Sequence, residues 1–296
     1  MLLGSFLTNK FRALKGVAFG VSAWAKFIPS LLRLEDRATP IVFVIGTGRS
    51  GTHFMDRILI SNTDFTDLNG GKENQFVFGE VTQAALLGVD LKKTTLTKYR
   101  ALKNYAWPKV LVDQSHPNIW QVENLLAKFP EAKFVGMVRD PLSVTYSTLH
   151  HSGVASWAEN YENFPVPNRF LGVSDENIGH YKRYSLAQRS ALRWAVHMER
   201  LDNLKRKYPD SVFIMNYEQL CVSPEVQLHK LSDFLGCKND FKGPVVETSA
   251  LYKKNKLKEK SDVLLIVKGY FSSNPLPDEK YIPLSDYFYV KNEPEK

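Results

Sequence analysis

The chain has 296 residues, of which 44% are hydrophobic and 24% are charged. A chain of this size and composition can bury one large core, which excludes disordered and fibrous proteins and favours a single domain. The formal net charge of +8 favours an anionic partner, but the basic residues are scattered, so we do not predict nucleic-acid binding. The two cysteines, Cys221 and Cys237, lack the CxxC spacing of metal and redox sites and are predicted to be reduced thiols.

Residues 1–38 form an amphipathic N-terminal segment of leucine, phenylalanine and tryptophan interrupted by basic residues. Its longest uncharged run, from Gly16 to Ala25, is half of the roughly 20 residues that a membrane-spanning helix needs. The same basic residues break up the apolar region that a signal peptide requires. We therefore expect this segment to pack on the domain or to lie on a membrane surface. A cytoplasmic protein is favoured, with membrane association as the alternative.

Strands and helices are predicted to alternate along residues 39–296. Short runs of β-branched and aromatic residues predict strands at 41–46, 109–113, 133–139 and 211–218. Helical periodicity predicts helices at 53–62, 119–129, 141–151, 185–208 and 226–235, the last ending at Gly236. This order favours an α/β single domain, with a central parallel sheet flanked by helices on both faces.

Residues 152–184 differ in character from the rest of the domain. They mix asparagine, glycine and proline with aromatic residues and show no clear period. A long irregular loop inside a compact domain is more often a lid or a binding loop than a simple connection. We predict that this segment covers or lines a ligand site, and that its aromatic residues suit a small molecule.

A glycine-rich, P-loop-like phosphate-binding loop, GTGRSGT, follows the first predicted strand. Its glycines allow a sharp turn, and they let backbone N–H groups at a helix N-terminus approach an anion. The spacing imitates an ATP-binding loop, but that motif continues with lysine and then serine or threonine, whereas Thr52 and His53 stand here. Arg49, inside the loop, offers a fork of donors for phosphate or sulfate oxygens.

The string GTGRSGTHF resembles the loop that binds the 5'-phosphosulfate of 3'-phosphoadenosine-5'-phosphosulfate (PAPS) in the PAPS-dependent sulfotransferase family. The resemblance implies that Arg49 contacts the bridging and sulfuryl oxygens, that the next four residues hold the 5'-phosphate, and that Phe54 approaches the adenine. The cofactor-binding residues implied in this loop are Gly48, Arg49, Ser50, Gly51, Thr52, His53 and Phe54.

A second element of that family is an arginine at a strand end, followed eight residues later by a helical serine, and together they bind the 3'-phosphate. Arg139 and Ser147 have this spacing. The segment NYEQL resembles the family's Tyr-Glu-Asp-Leu element, which implies that Tyr217 lies near the adenine. A core position is the alternative for Tyr217.

The resemblance covers about residues 40–236 and fails at the C-terminus. The family's Arg-Lys-Gly element is matched there only by Lys268 and Gly269. The lysine-rich run at 253–260 is a second candidate for completing the 3'-phosphate site, with a solvated charged surface as the alternative.

Sulfuryl transfer needs in-line geometry and positive charge on the leaving oxygens, and Arg49 suits that task. Removing the proton of the acceptor hydroxyl needs a base. Four candidates are ranked in the order His116, Glu80, Glu73, Asp113. His116 lies 23 residues before Arg139, the family's spacing for its histidine base; the glutamates and Asp113 remain alternatives.

The sequence therefore predicts an enzyme that moves the sulfuryl group of PAPS to a hydroxyl or amine of an acceptor and releases adenosine 3',5'-bisphosphate (PAP). No metal is expected, since His150 and His151 lack a third ligand at metal spacing. A nucleotide-dependent small-molecule kinase is the rival enzyme. A non-catalytic peripheral membrane protein with a vestigial nucleotide site is the other alternative. The oligomeric state is not predicted.

Overall fold

A computed structural model describes residues 39–237, 241, 253–277 and 280–288. Five strands form one sheet: β1 (Ile41–Gly46), β2 (Phe65–Thr66), β3 (Val110–Asp113), β4 (Lys133–Val138) and β5 (Val212–Asn216). Their order across the sheet is β2-β3-β1-β4-β5, and every neighbouring pair is parallel. The sheet grows in opposite directions on the two sides of β1, and the crevice at such a switch point is where α/β sheets bind ligands.

Helices connect and cover the strands. The described helices are α1 (Thr52–Ile60), α2 (Phe78–Leu87), α3 (Lys93–Ala106), α4 (Val122–Lys128), α5 (Pro141–Leu149), α6 (Ser152–Glu159), α7 (Ile178–Tyr181), α8 (Leu186–Lys207), α9 (Tyr217–Val222), α10 (Pro224–Leu235), α11 (Lys260–Ser273) and α12 (Leu284–Phe288). Short 3-10 turns occur at His116–Trp120, Tyr161–Asn163 and Lys253–Lys256. None of these described helices has the length and apolar character needed to cross a bilayer.

Both faces of the sheet are buried, as the alternation of side chains along β1 shows. Ile41, Phe43 and Ile45 pack into one hydrophobic cluster, which includes Trp194 of α8. Val42 and Val44 of β1 pack into a second cluster with α1 and α10. Helices therefore flank a parallel sheet on both faces, and the predicted fold class is confirmed.

The long helix α8 fixes the carboxyl end of β4. It begins at a capping box, in which the side chains of Ser185 and Gln188 bond each other's backbone N–H groups. The indole Nε1 of the fully buried Trp194 donates to the carbonyl oxygen of Arg139 at 2.9 Å. The sequence predicted this helix to within two residues, because its apolar stripe is long and its cap is explicit.

The segment 152–184 is not the irregular loop that the sequence predicted. It contains α6, a 3-10 turn and α7, and it buries Phe170 and Tyr181 completely or almost so. Each helical stretch is too short to produce a visible 3.6-residue period, which is why the sequence did not reveal them. Its role as a lid or acceptor loop remains a prediction, and the amphipathic segment 1–38 lies outside the described residues.

Asp56 of α1 is buried without a hydrogen-bond partner for either carboxylate oxygen among the described residues. Burial raises its pKa to about 8, and the charges of Asp67 and Asp113 add to this. The folded state therefore keeps the Asp56 proton at neutral pH, whereas the unfolded chain releases it. The pKa of Asp56 is higher in the folded state than in the unfolded chain. The contribution of this residue to the free energy of unfolding is therefore fully present below about pH 4, and it is lost as the pH rises to about 8.

Asp56→Asn removes this titration, so we expect it to stabilise the protein increasingly as the pH rises. The gain in the free energy of unfolding should be larger at pH 8 than at pH 5 by about 2–4 kcal/mol. Urea unfolding at the two pH values measures it, with the exposed Asp64→Asn as control. A gain that is the same at both pH values would contradict the buried, protonated carboxyl.

Candidate active site

The loop after β1 is held in a strained turn that opens towards the N-terminus of α1. Arg49 has a φ of 78°, in the left-handed region that few non-glycine residues adopt. Both the backbone N–H and the hydroxyl of Ser50 bond the carbonyl oxygen of Thr47, at 3.2 and 2.7 Å. Gly51 forms the N-cap of α1 without any side-chain cap. The N-terminus of α1 thus has no side-chain cap, the arrangement that suits an anion; the phosphate site that the glycine pattern predicts stays a prediction.

The two arginines predicted for opposite ends of the nucleotide lie in one site. Arg49 Nε donates to Ser147 Oγ at 3.0 Å, and Arg139 donates to the carbonyl oxygen of Arg49 at 3.4 Å. Burial, and then the nearby charge of Arg139, lower the pKa of Arg49. Two guanidinium groups so close in a half-buried site repel each other, and a bound anion would relieve that repulsion.

Tyr217, the first residue of α9, forms an aromatic wall behind the loop. Its ring lies 4.2 Å from the guanidinium carbon of Arg139 and 5.4 Å, between centroids, from the ring of Phe54. A Cβ placed on Gly51 would lie only 2.7 Å from Tyr217 Cδ2. Tyr217 is therefore a buried core residue that also borders the loop and Arg139, and its place near the adenine remains a prediction.

His116 lies against the loop, on the 3-10 turn that follows β3. A Cβ on Gly48 would be 2.9 Å from His116 Nε2, and this nitrogen has no hydrogen-bond partner in the described part of the chain. Burial, and after it the charges of Arg193, His53 and Arg49, hold the pKa of His116 well below its usual value. His116 is therefore a neutral imidazole at physiological pH, with a free lone pair or N–H on the site.

Of the three carboxylates proposed as alternative bases, only Glu73 lies beside the loop arginine. Its Oε1 is 3.6 Å from His53 Nε2, and its charge is close enough to raise the pKa of Arg49. His53 also lies 3.5 Å, through Nδ1, from the carbonyl oxygen of Gly71. Glu73 and His53 thus form a polar rim at the N-terminus of α1.

Glu80 and Asp113 are occupied by structural partners. Glu80 is ion-paired with Lys98 at 2.5 Å and accepts from Thr95 at 2.6 Å, which ties α2 to α3. The carboxylate of Asp113 accepts hydrogen bonds from the side chains of Tyr99, Ser115 and Asn118 and from a backbone N–H. Burial raises the pKa of Asp113 to about 6. The geometry therefore does not support the prediction of either residue as the base.

The C-terminal lysine run reaches the neighbourhood of Arg139. Lys254 Nζ lies 3.7 Å from Oδ2 of Asp140, the residue that follows Arg139 and caps α5. The lysine-rich candidate is thus placed beside the second arginine. Among the described residues, no group of three or more His, Cys, Asp or Glu side chains is placed to hold a metal ion.

Two polar residues of this region were missed by the sequence reasoning. Gln114, at the end of β3, is buried, and neither polar atom of its carboxamide has a partner among the described residues. Arg193 is buried on α8, and its Nε and one terminal nitrogen are likewise unpartnered. The sequence does contain a signal for the burial of Arg193. This arginine lies on the apolar stripe of the amphipathic helix α8, three residues after the buried Ser190.

A family model for the sulfotransferase domain matches residues 39–266. The chain belongs to the sulfotransferase family. Among solved structures, this sulfotransferase is similar to sulfotransferase STF1 from Mycobacterium tuberculosis, with 14% identity, a TM-score of 0.55, and coverage of 92% of this chain and 86% of that one. It is also similar to sulfotransferase STF9 from Mycobacterium avium, with 13% identity, a TM-score of 0.52, and coverage of 86% and 81%. No curated protein sequence is significantly similar to the chain.

These comparisons confirm the family that the motifs predicted, and the structural likeness confirms the fold.

The close approach of Gly51 to Tyr217 predicts the effect of adding one methyl group. Gly51→Ala forces a left-handed residue with a φ of 101° to carry a Cβ against a buried ring, so it should destabilise the fold by about 1–3 kcal/mol. Thermal unfolding measures this, and Gly79→Ala, in the open first turn of α2, is the control. Equal melting temperatures for the two variants would show that the loop does not need glycine there.

Proposed function

We propose that this sulfotransferase moves the sulfuryl group of PAPS to a hydroxyl or an amine of a small acceptor. The observation that carries the proposal is the convergence of Arg49, Ser147 and Arg139 at the carboxyl end of the central strand. These residues belong to two separate sequence elements, and both elements fit a nucleotide with phosphate at its 3' and 5' positions. The same loop lacks the lysine that an ATP-using kinase requires.

The chain's own groups suit this ligand at both ends. The uncapped N-terminus of α1 and the loop amides would hold the 5'-phosphate. A side chain at Gly48 or Gly51 would instead collide with His116 or Tyr217, so the glycines let the loop pack against these rings. Arg139 and Ser147, with Lys254 beside them, would hold the 3'-phosphate. Tyr217 and Phe54 would bound the adenine.

When bound, PAPS supplies the activated sulfuryl group and leaves as PAP. The chain's task is to hold positive charge where negative charge develops, and Arg49 is the side chain placed to do so at the loop. Among the described residues, its guanidinium bonds only a neutral hydroxyl, that of Ser147, at 3.0 Å. Arg49 can therefore turn to a charged oxygen without breaking an ion pair.

His116 is the base that we favour, since its Nε2 faces the glycine cradle without a partner. A neutral imidazole can take the acceptor's proton, and charge from a bound anion would offset the cations that now depress its pKa. Glu73 is the remaining alternative, because its carboxylate also borders Arg49.

Arg139→Ala tests the donor assignment, because it removes one end of the nucleotide site. The wild-type protein should bind PAP more tightly than adenosine 5'-phosphate, which lacks the 3'-phosphate, and more tightly than ATP. The variant should lose about 10- to 100-fold of PAP affinity and little of its affinity for adenosine 5'-phosphate. Isothermal titration calorimetry measures both constants.

Arg200→Ala is the matched control for this experiment, because Arg200 pairs with Glu123 away from the site. ATP binding as tight as PAP binding, or an Arg139→Ala variant with unchanged PAP affinity, would refute the donor assignment.

His116→Asn and Glu73→Gln distinguish the two candidate bases. Loss of a general base should lower kcat about 10²- to 10⁴-fold and leave PAP binding almost unchanged. We expect this fall in kcat from His116→Asn and a smaller fall from Glu73→Gln. The rate of PAP release measures it, in the presence of PAPS and an acceptor that the wild-type enzyme sulfates. The reverse order would assign the base to Glu73.

A further inference from the structure

Arg193 is a buried cation for which the described part of the chain supplies no counter-ion. It is 3% exposed, and its Nε and Nη2 atoms have no hydrogen-bond partner among the described residues. Burial lowers its pKa to about 10, and the one described group that acts in the opposite direction is Tyr181, which is itself buried. A guanidinium offers five donors, and burying them unpaired is costly. Such a residue marks a place where an anion would be stabilised.

The surroundings of Arg193 are aromatic. Its guanidinium carbon lies 4.9 Å from the ring centroid of Phe170 and 5.5 Å from that of Trp157, and these two rings lie 5.3 Å apart, edge to face. The hydroxyl of Tyr181 is also buried and has no partner in the described part of the chain. The cluster thus combines apolar walls with unused donors, the composition of a small-molecule pocket.

This cluster is connected to the proposed catalytic base. The ring of Trp157 lies 6.0 Å from that of His116, and Arg193 is close enough to lower the pKa of His116. His116 Nε2 and the Arg193 nitrogens Nε and Nη2, which have no hydrogen-bond partner among the described residues, therefore both lie near one tryptophan. An acceptor with its hydroxyl at His116 would place another part of itself near Arg193.

We propose that Arg193, walled by Trp157 and Phe170, binds a carboxylate of the acceptor, so that the substrates are apolar or aromatic hydroxy acids. The inference rests on the proposed function and names its acceptor class. A carboxylate accepts two parallel hydrogen bonds from a guanidinium fork, and the Tyr181 hydroxyl can donate a third. Since α6 and α7 carry Trp157 and Tyr181, the segment predicted as an acceptor loop supplies most of the side chains around Arg193.

Arg189 provides a matched contrast on the same helix. It also stacks on aromatic rings, those of Tyr161 and Tyr181, but its three donor nitrogens bond the carbonyl oxygens of Tyr181, Ala158 and Lys182. Arg189 is therefore satisfied and holds the segment to α8. Arg193 also lies against aromatic rings, but no described residue offers a hydrogen-bond acceptor to its Nε and Nη2 atoms.

The test compares hydroxy acids with their primary amides on the full-length wild-type protein. The probes are 4-hydroxyphenylacetate, 4-hydroxybenzoate and 10-hydroxydecanoate, each beside its amide, in PAP release assays and in thermal-shift titrations of the PAP complex. We expect each acid that is used to exceed its amide about 10- to 100-fold in kcat/KM or in affinity. Arg193→Met should abolish that preference, and Arg193→Lys should retain only part of it.

Two further measurements, the ligand-free melting temperature and PAP binding, distinguish carboxylate binding by Arg193 from a structural role and from failure of the proposed function. Arg193→Met replaces a buried unpaired charge with an apolar side chain, so the ligand-free melting temperature should not fall. Arg189→Met should lower that temperature and keep the acid preference. PAP binding should be unchanged in Arg193→Met and Arg189→Met. If the wild-type protein does not bind PAP, that result refutes PAPS as the donor and does not bear on Arg193. Acids and amides that behave alike, including a complete failure of both to bind, would overturn the proposal for Arg193.

Discussion

The site depends on one constraint, the meeting of two like charges at the carboxyl ends of β1 and β4. These strands are direct neighbours in the sheet, with Gly46 in register with Met137. The residues that follow them, Arg49 and Arg139, have little freedom to separate, because α8 holds the carbonyl of Arg139 through Trp194. The fold thus keeps two guanidinium groups together at a cost, and a polyanionic ligand removes that cost.

The sequence alone predicted four of the five described strands, the loop and this pair of arginines, because each depends on local pattern. It missed β2, whose two residues are too few to form a pattern. The β-branched runs of β1, β3 and β4 and the capped stripe of α8 are strong local signals. The eight-residue interval from Arg139 to Ser147 was also readable, and Arg49 does bond Ser147. What joins the two elements is sheet order, which no local pattern contains.

The remaining features could not be read from the sequence because they depend on partners far along the chain. Glu80 and Glu73 look equivalent as acids near glycine, yet Glu80 is taken by Lys98 and Glu73 borders Arg49. The short helices of residues 152–184 bury aromatic residues against α8 and leave no period to detect. In the sequence, Arg193 is one of several basic residues of a long helix. Its burial depends on contacts with Trp157 and Phe170 of that segment, which are distant along the chain.

Several buried polar groups that have no hydrogen-bond partner among the described residues lie near the carboxyl edge of the sheet. His116 and Gln114 follow β3, and Arg193 of α8 is close enough to His116 to lower its pKa, whereas others, such as Ser232 of α10, lie elsewhere in the fold. Each lowers the stability of the ligand-free fold, since a buried donor or acceptor without a partner keeps its desolvation cost. Under the proposed function, the donor nucleotide would satisfy the groups around the loop. Arg193 and His116 both lie near the ring of Trp157, so an acceptor whose hydroxyl is at His116 would bring its carboxylate to Arg193.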